Sequence, residues 1–450
     1  MIIATGGCAG GARRAPPPLK AAEPLTTRAA PQREATPLAQ RGVDLGAAKP
    51  VQPTGGSARP ADPAPRTPPV SEQGPSPLAD TLGLPPVMPF AEAVRFAANT
   101  LLSGAKLAGP AGMKHMLVID PLIDGRSGAQ SIATEAMGSL LGQMIKTTFA
   151  DRFDLQPFNV ATVPRNPLLL IGTLTAVDKE METVGPRAIY RIWLTLADLK
   201  TGKIVAKGFA RSSLDGVDAT PLAAFRDSPA WSPDVATDGY IQTCQGTNVG
   251  DPINPAYWDQ LVAAALVNDG VSAYNAGRYE EALDIYRGAS RIAAGDQLRV
   301  HNGIYLSSWR LGRKEEATQA FARIIDFGLA QQRLGIKFLF QPGSTQFFTD
   351  PYVSVAYPIW LNQLAQRAAH RGSCIEISGH TSHTGSAPFN DRLSRLRAQH
   401  IKMRLAADAP ALASRLTTTG KGWQENIVGL GTDDARDALD RRVEFRVTGC

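Results

Sequence analysis

The 450-residue sequence is poor in the side chains that most often carry chemistry. It has four cysteines, Cys8, Cys244, Cys374 and Cys450, and none forms a Cys-x-x-Cys pair, which argues against a structural zinc site. Of its six histidines, His380 and His383 lie close together, but a metal would need a third ligand and none has clear spacing. No run approaches about 18 consecutive apolar residues, so no transmembrane helix is written here. The glycine pairs Gly6-Gly7 and Gly429-x-Gly431 lack the strand-then-helix setting of a dinucleotide loop. A net charge of +6, spread over so long a chain, does not indicate a nucleic-acid partner. These absences leave no cofactor and no metal to expect.

What is present is ordered along the chain. Of its 34 prolines, 18 precede Phe90, which is also the first aromatic residue. Residues 9–89 are dominated by Pro, Ala, Gly, Arg and Thr. Such a segment cannot bury enough apolar surface to offset its ordering entropy, and disorder is expected. From Cys8 to Phe90 a flexible coil spans on the order of 50 Å, and a polyproline-extended chain roughly 250 Å. That reach suits a tether, and a passive spacer or unprocessed leader also fits. Ahead of it, Thr5-Gly6-Gly7-Cys8 resembles the end of a bacterial lipoprotein signal, with Cys8 as the lipidated residue. Only Ile2 and Ile3 stand where an apolar h-region belongs, so a start further upstream is expected. The alternative is a leader of small residues with no anchoring role.

Residues 90–245 read as an α/β domain. Phe90 to Leu107 is amphipathic, and His115 to Asp120 has a buried-strand pattern. Ile132, Ala136, Met137, Leu140, Leu141, Met144 and Ile145 recur at helical spacing. Leu168–Thr173 is a second strand, Ala188–Ala197 a third, and Asp198–Gly202 a turn into a hairpin partner at Lys203–Ala210. This order, with VIDPLIDGRSG ahead of it and LADLKTGKIVAKG behind, resembles the periplasmic lipoprotein domains of the CsgG, FlgO and LpoB group. The resemblance permits activation of a peptidoglycan synthase, as in the LpoB branch. Residues 212–258, punctuated by five prolines, read as a connector.

Residues 259–330 contain an internal repeat. Asn275 to Ala282 (NAGRYEEA) is echoed by Arg310 to Ala317 (RLGRKEEA), and Gly277 and Gly312 lie 35 residues apart. The period is close to the roughly 34 residues of a tetratricopeptide repeat, which the segment resembles. The glycine permits a tight inter-helix turn, and Ala282 and Ala317 permit close helix contact. A protein-docking groove and a helical spacer packed on its neighbour are both compatible with this pattern.

Residues 335–450 carry the most specific words. A strand is expected at Ile336–Phe340, a helix through Tyr357, Trp360, Leu361 and Leu364, and a strand at Cys374–Ser378. There follow GHTSHTG from Gly379, Asn390, Leu393-Ser394, Arg397-Ala398, Gly429-x-Gly431 and Asp440-Arg441-Arg442-Val443-Glu444. Order and spacing resemble the OmpA C-terminal family. The resemblance implies a βαβαββ fold and binding of diaminopimelate in the peptidoglycan stem peptide. Such a zwitterion needs a forked donor for its carboxylate and an anion for its ammonium. The family's arginine is Arg397, and the asparagine that holds loop and ligand is Asn390. Thr381 and Arg442 complete the expected site, Arg442 with Arg441 adding positive field near the glycan; the alternative for both is a structural ion pair with Glu444. The family's aspartate is here Ser382, fifteen residues before Arg397. A hydroxyl brings no charge, and losing a charge-assisted contact costs roughly 1.5–3 kcal/mol. Asp391 is one substitute, and otherwise binding is weak, the ligand differs or the domain binds protein. A Ser382–His–Asp391 triad lacks any nucleophile elbow. Cys374 and Cys450 form a disulfide if their strands are antiparallel neighbours.

The fold class expected is therefore multidomain α/β, in four parts. Residues 1–89 form a leader and a disordered Pro-rich tether, and 90–245 a sandwich-type α/β domain. Residues 259–330 form an α-helical repeat pair, and 335–450 an OmpA-like βαβαββ domain. The function expected is a non-catalytic cell-envelope protein, periplasmic or lipid-anchored in the outer membrane. It would associate with peptidoglycan and dock an envelope protein through its repeats. The alternative is a regulatory adaptor of an envelope machine whose OmpA-like domain binds protein.

Overall fold

A computed structural model describes residues 83–110, 112–341, 343–349 and 354–450. The tether expected over 9–89 lies largely, and the lipidation candidate Cys8 entirely, outside the described residues.

The first module is built on a twisted mixed sheet. Its elements are β1 (Val87–Met88), α1 (Phe90–Gly104), β2 (His115–Ile119), β3 (Ile123–Asp124), α2 (Ile132–Thr147), β4 (Phe153–Leu155), β5 (Leu168–Val177), β6 (Ile189–Asp198) and β7 (Lys203–Ser213). The strand order is β1-β7-β6-β5-β2-β4, with β3 paired to β5. β2 runs parallel to β4 and β5, whereas β5, β6 and β7 are antiparallel. Every residue of β5 is buried, as expected of a central strand covered on both faces. One cover is α1 and α2. The small residues Ala93, Ala97 and Ala98 let α1 sit so close that a Cβ at Gly208 would lie 2.2 Å from Ala97 O. A capping box between Ser131 and Thr134 starts α2.

The other cover corrects the sequence reading. The stretch read as a connector folds into α3 (Ala223–Arg226), β8 (Ala230–Trp231), α4 (Val235–Gln245) and α5 (Pro255–Trp258). Tyr240, Cys244 and Tyr257 from α4 and α5 pack on Val118, Leu169, Ile171 and Ala197 of the sheet. Four elements of eleven residues or fewer, separated by prolines, leave too little periodicity to be read as a layer. The module is thus three-layered, α on β on α.

Asp120, just past β2, is buried beneath this cover and accepts a 2.5 Å hydrogen bond from the Tyr257 hydroxyl. Burial pushes its carboxyl up to about 6, against the opposing pull of Tyr257 and Arg299. A carboxyl raised in the folded state loses stability as pH rises from its ordinary value through its folded one. Stability is therefore expected to fall by about 3 kcal/mol between about pH 4 and pH 6 from this group. Asp120→Asn should flatten that part of the curve in urea titrations, and an unchanged slope would refute the assignment.

Two antiparallel helix pairs follow: α6 (Leu261–Asn275) with α7 (Tyr279–Ala289), and α8 (Leu298–Arg310) with α9 (Lys314–Ala330). Their turns place Gly277 and Gly312 in the left-handed region, at φ 75° and 73°. Tyr286 is clamped between Gly270 and Gly303, where an added Cβ would fall 2.7 and 2.4 Å from its ring.

The last module comprises β9 (Arg333–Ile336), α10 (Tyr357–Arg371), β10 (Cys374–Gly379), α11 (Ala387–Asp408), β11 (Leu416–Gly420) and β12 (Val443–Thr448), a βαβαββ order. Its sheet runs β11-β10-β12-β9-β8, so β8 supplies a fifth strand from a distant part of the chain. The strand expected at 336–340 instead occupies 333–336. β12 begins opposite Ile336, so the ladder runs out there, and Leu339 N turns to the Tyr357 hydroxyl. Residues 425–431 form no strand. Their backbone N–H groups at 427, 428 and 429 all bind the Asp440 carboxylate. Phe321 of α9 stacks on Trp360 of α10, whose indole donates to the Tyr305 hydroxyl at 2.8 Å. A single hydrophobic core accordingly runs from Ala224 through the helix pairs to Phe445. Among the described residues no helix is long and apolar enough to cross a membrane.

Candidate functional site

The site is assembled where β10 gives way to α11. Gly379 ends the strand against the helix, and any Cβ there would strike Ser394 O at 2.0 Å. Thr381 N binds Gly422 O, and Ser394 Oγ accepts from Gly422 N, so the chain after Gly379 is locked to the end of β11. Asn390, buried in the first turn of α11, donates to Thr384 O at 2.6 Å and closes the 380–386 loop. Two turns later the same helix presents Arg397.

Arg397 is 5% exposed. Its Nε donates to Ser344 O at 3.2 Å, its Nη2 makes a long contact of 3.4 Å with Gln341 O, and the guanidinium lies 4.8 Å from the Phe340 ring centre. No carboxylate forms an ion pair with it among the described residues. Burial, helped by the neighbouring charge of Arg441 and opposed by Asp433, pulls it down to about 10. A desolvated cation with carbonyl and π partners alone is a natural seat for an anionic ligand.

Ser382 is buried and donates from Oγ to Asp433 Oδ1 at 2.8 Å, with the Thr384 hydroxyl 3.1 Å away. Asp433 is the acid that the sequence reading missed. It sits at φ 56°, with its backbone N–H bound to Asp437 Oδ2 and its side chain half exposed. Arg441 holds it from the far side, through 3.2 Å to Asp433 Oδ1 and 2.5 Å to the buried Asp437. Asp391, considered as a substitute, lies instead against Gly422, where a Cβ would be 2.4 Å from its Oδ1. The legible signal for Asp433 was the acid pair Asp433-Asp434 directly after Gly431-Thr432.

Arg442 does not join this group, which corrects its expected ligand role and leaves the alternative, an ion pair with Glu444. It is 1% exposed, with Nε 2.6 Å from Glu444 Oε1 and Nη2 on Glu425 O. Arg333 grips the same Glu444 from the neighbouring strand at 2.9 Å. Burial alone would raise Glu444, but Arg442 and Arg333 outweigh it and bring the carboxyl to about 2.

His380 is buried beside this pair, neither ring nitrogen has a partner among the described residues, and burial pulls it down to about 3. His380, Glu425 and Glu444 come within 4.8 Å of one another, a ligand set the sequence spacing hid. Arg333 and Arg442 on Glu444, and Lys421 on Glu425, put three cations against two anions. That balance opposes a divalent metal. Cys374 and Cys450 are joined by a disulfide with Cα atoms 5.2 Å apart, between the antiparallel β10 and the residues after β12. The remaining cysteine of the described residues, Cys244, is a buried free thiol.

Comparison with known proteins bears on the C-terminal module. The OmpA family profile matches residues 339–439. Outer membrane protein Omp38 of Acinetobacter baumannii is 41% identical over 73 residues, 16% of this chain and 20% of that protein. Outer membrane porin F of Pseudomonas fluorescens is 35% identical over 80 residues, 18% of this chain and 24% of that protein. The chain thus spans a quarter or less of these relatives' length. Among solved structures, a peptidoglycan-associated lipoprotein from Burkholderia pseudomallei superposes with a TM-score of 0.22 at 24% identity, over 27% of this chain and 93% of that one. The C-terminal module is OmpA-like.

Proposed function

We propose that this chain is a non-catalytic cell-envelope protein that holds peptidoglycan through its OmpA-like domain. In this reading it grips the diaminopimelate of the stem peptide between Arg397 and Asp433. The observation that carries it is the buried Arg397 guanidinium, without an acid partner among the described residues, in the field of a half-exposed Asp433 that Ser382 positions. Arg397 supplies the fork for the ligand carboxylate, and Asp433 Oδ2, which makes no hydrogen bond among the described residues, supplies the anion for the ammonium. Asn390 and Thr381 hold the loop between them. Relatives named as outer membrane proteins support an envelope location. The first module, similar in element order to the CsgG, FlgO and LpoB group, and the two tetratricopeptide-like helix pairs would serve to dock an envelope partner. A lipid at Cys8 would tether the chain to the outer membrane.

Sedimentation with purified sacculi tests the wall reading. The native chain should pellet with them and be released by free meso-diaminopimelate, and a chain left in the supernatant would sink the proposal. A second reading, protein docking by the same domain, is favoured by the exposed Phe389, Leu396 and Met403, which recur every seven residues along α11. A crosslinked partner retained after complete wall digestion would favour it.

A further inference from the structure

A second site lies where the three modules meet, away from Arg397. Residues from the loop after β3, from the α3–α4 region, from α6 and α8, and from the segment before β12 enclose a cavity of about 120 Å³. That is several times the roughly 10–15 Å³ that one water occupies, and near the ~150 Å³ of an apolar cavity able to hold a benzene ring. Junctions between modules are where ligand pockets concentrate.

Its lining is amphipathic. Trp231, Val271, Leu306 and Leu439 supply apolar wall, while Arg126, Arg226, Arg299, Lys337 and Arg436 supply cations. The lining acids are Asp234 and Asp238. Asp234 Oδ1 caps α4 through Ala236 N and Thr237 N, while its Oδ2 has no partner among the described residues. Arg226 pairs with Asp227, and Arg436 with Asp434, both outside the cavity lining. Arg126 and Arg299 have no carboxylate in an ion pair among the described residues, although each lies in the field of an acid, Asp124 and the buried Asp120 respectively. Lys337 donates to the carbonyls of Phe225 and Arg226, at 3.0 and 2.9 Å, and has no acid in hydrogen-bond contact among the described residues.

We propose that this junction cavity binds a small organic carboxylate carried on an apolar body about the size of one aromatic ring. The carboxylate would meet Arg126, Arg299 and Lys337, and the body would lie along Trp231, Val271 and Leu306. Burial already pulls Lys337 down to about 8, so an anion beside it should push that amine back up. An inorganic anion fits less well, because most of the wall offers it no donors.

The proposal does not depend on wall binding, and its test uses the whole chain. Titration with 3-phenylpropionate, followed by calorimetry and by intrinsic tryptophan fluorescence, should give saturable one-to-one binding. The neutral amide, 3-phenylpropionamide, should bind at least about tenfold more weakly, as loss of a charge-assisted contact requires. Arg126→Gln, at an exposed position, should weaken the carboxylate about fivefold or more with the melting temperature retained, and Arg299→Gln, which also acts on Asp120, should weaken it by as much. Binding should also be accompanied by proton uptake near pH 8, read as a buffer-dependent heat. No saturation by about 10 mM, equal binding of the amide, inorganic phosphate competing as well as the carboxylate, or indifference of both variants would each overturn the proposal.

Discussion

Arg397→Gln is expected to lower the affinity for free diaminopimelate about a hundredfold or more, with a melting temperature within a few degrees of the parent. Two charge-assisted bonds to a ligand carboxylate are worth about 3 kcal/mol together, even at the lower end of their range. The fold does not rely on this cation in the same way. It is desolvated, and its described polar partners are two carbonyl oxygens at 3.2 and 3.4 Å. Asp433→Asn should cost about tenfold, as one lost charge does. The sharper outcome concerns Ser382. Family logic alone would have Ser382→Asp improve binding. With Asp433 Oδ1 2.8 Å from the Ser382 hydroxyl, that change sets two carboxylates against each other, so no gain is expected. Only Ser382→Asp combined with Asp433→Asn should recover binding. Calorimetry on the four proteins checks this, and a gain from Ser382→Asp alone would remove Asp433 from the site.

Glu444→Gln is expected to destabilise the chain by about 3–5 kcal/mol, because it strands a buried cation. Glu444 is the shared anion of Arg333 and of Arg442, whose side chain is wholly enclosed and whose Nη1 has no partner among the described residues. The folded carboxyl, near 2, lies below its ordinary value of about 4.3. Its stabilising contribution is therefore complete above about pH 4.5 and is lost as pH falls through about 2. Urea midpoints should drop in that window for the native chain and not for the variant. A loss below about 1 kcal/mol at neutral pH would show that the pair is dispensable.

Much of the C-terminal module is legible in the sequence because its motif residues answer to backbone needs. Gly379 must admit Ser394 O, and Asn390 must close a loop within its own helix turn. Such requirements are local, so they leave words at fixed spacing. Asp433 is not legible in this way. It reaches Ser382 from 51 residues away, and its loop is held by Arg441 and Asp437 rather than by any regular element. Of the two readings open for Arg442, alternation along a strand favours the ion pair. Residues 442 and 444 point to the same side, so the Arg-Arg-Val-Glu word itself places Arg442 beside Glu444. The second cover of the first sheet escaped for a different reason. Tyr240 and Tyr257 are its main contacts, on helices too short and too interrupted by proline for a periodic signal.

The two residues of β8 change what a cut in this chain would mean. Ala230 and Trp231 pair with Ile336 and Gly335 across a hundred residues of sequence, and so close the outer edge of the C-terminal sheet. A gene fusion or truncation that begins at the natural-looking border before β9 would carry away a sheet with that edge open. Bare strand edges recruit other strands, and this one would be free to pair with a second copy. Trp231 is also bound to the first module through its indole N–H to Ser127 O at 3.2 Å. The C-terminal module and the module most distant from it in sequence are therefore inherited together. Recombination can trade such parts only if the short strand travels with both.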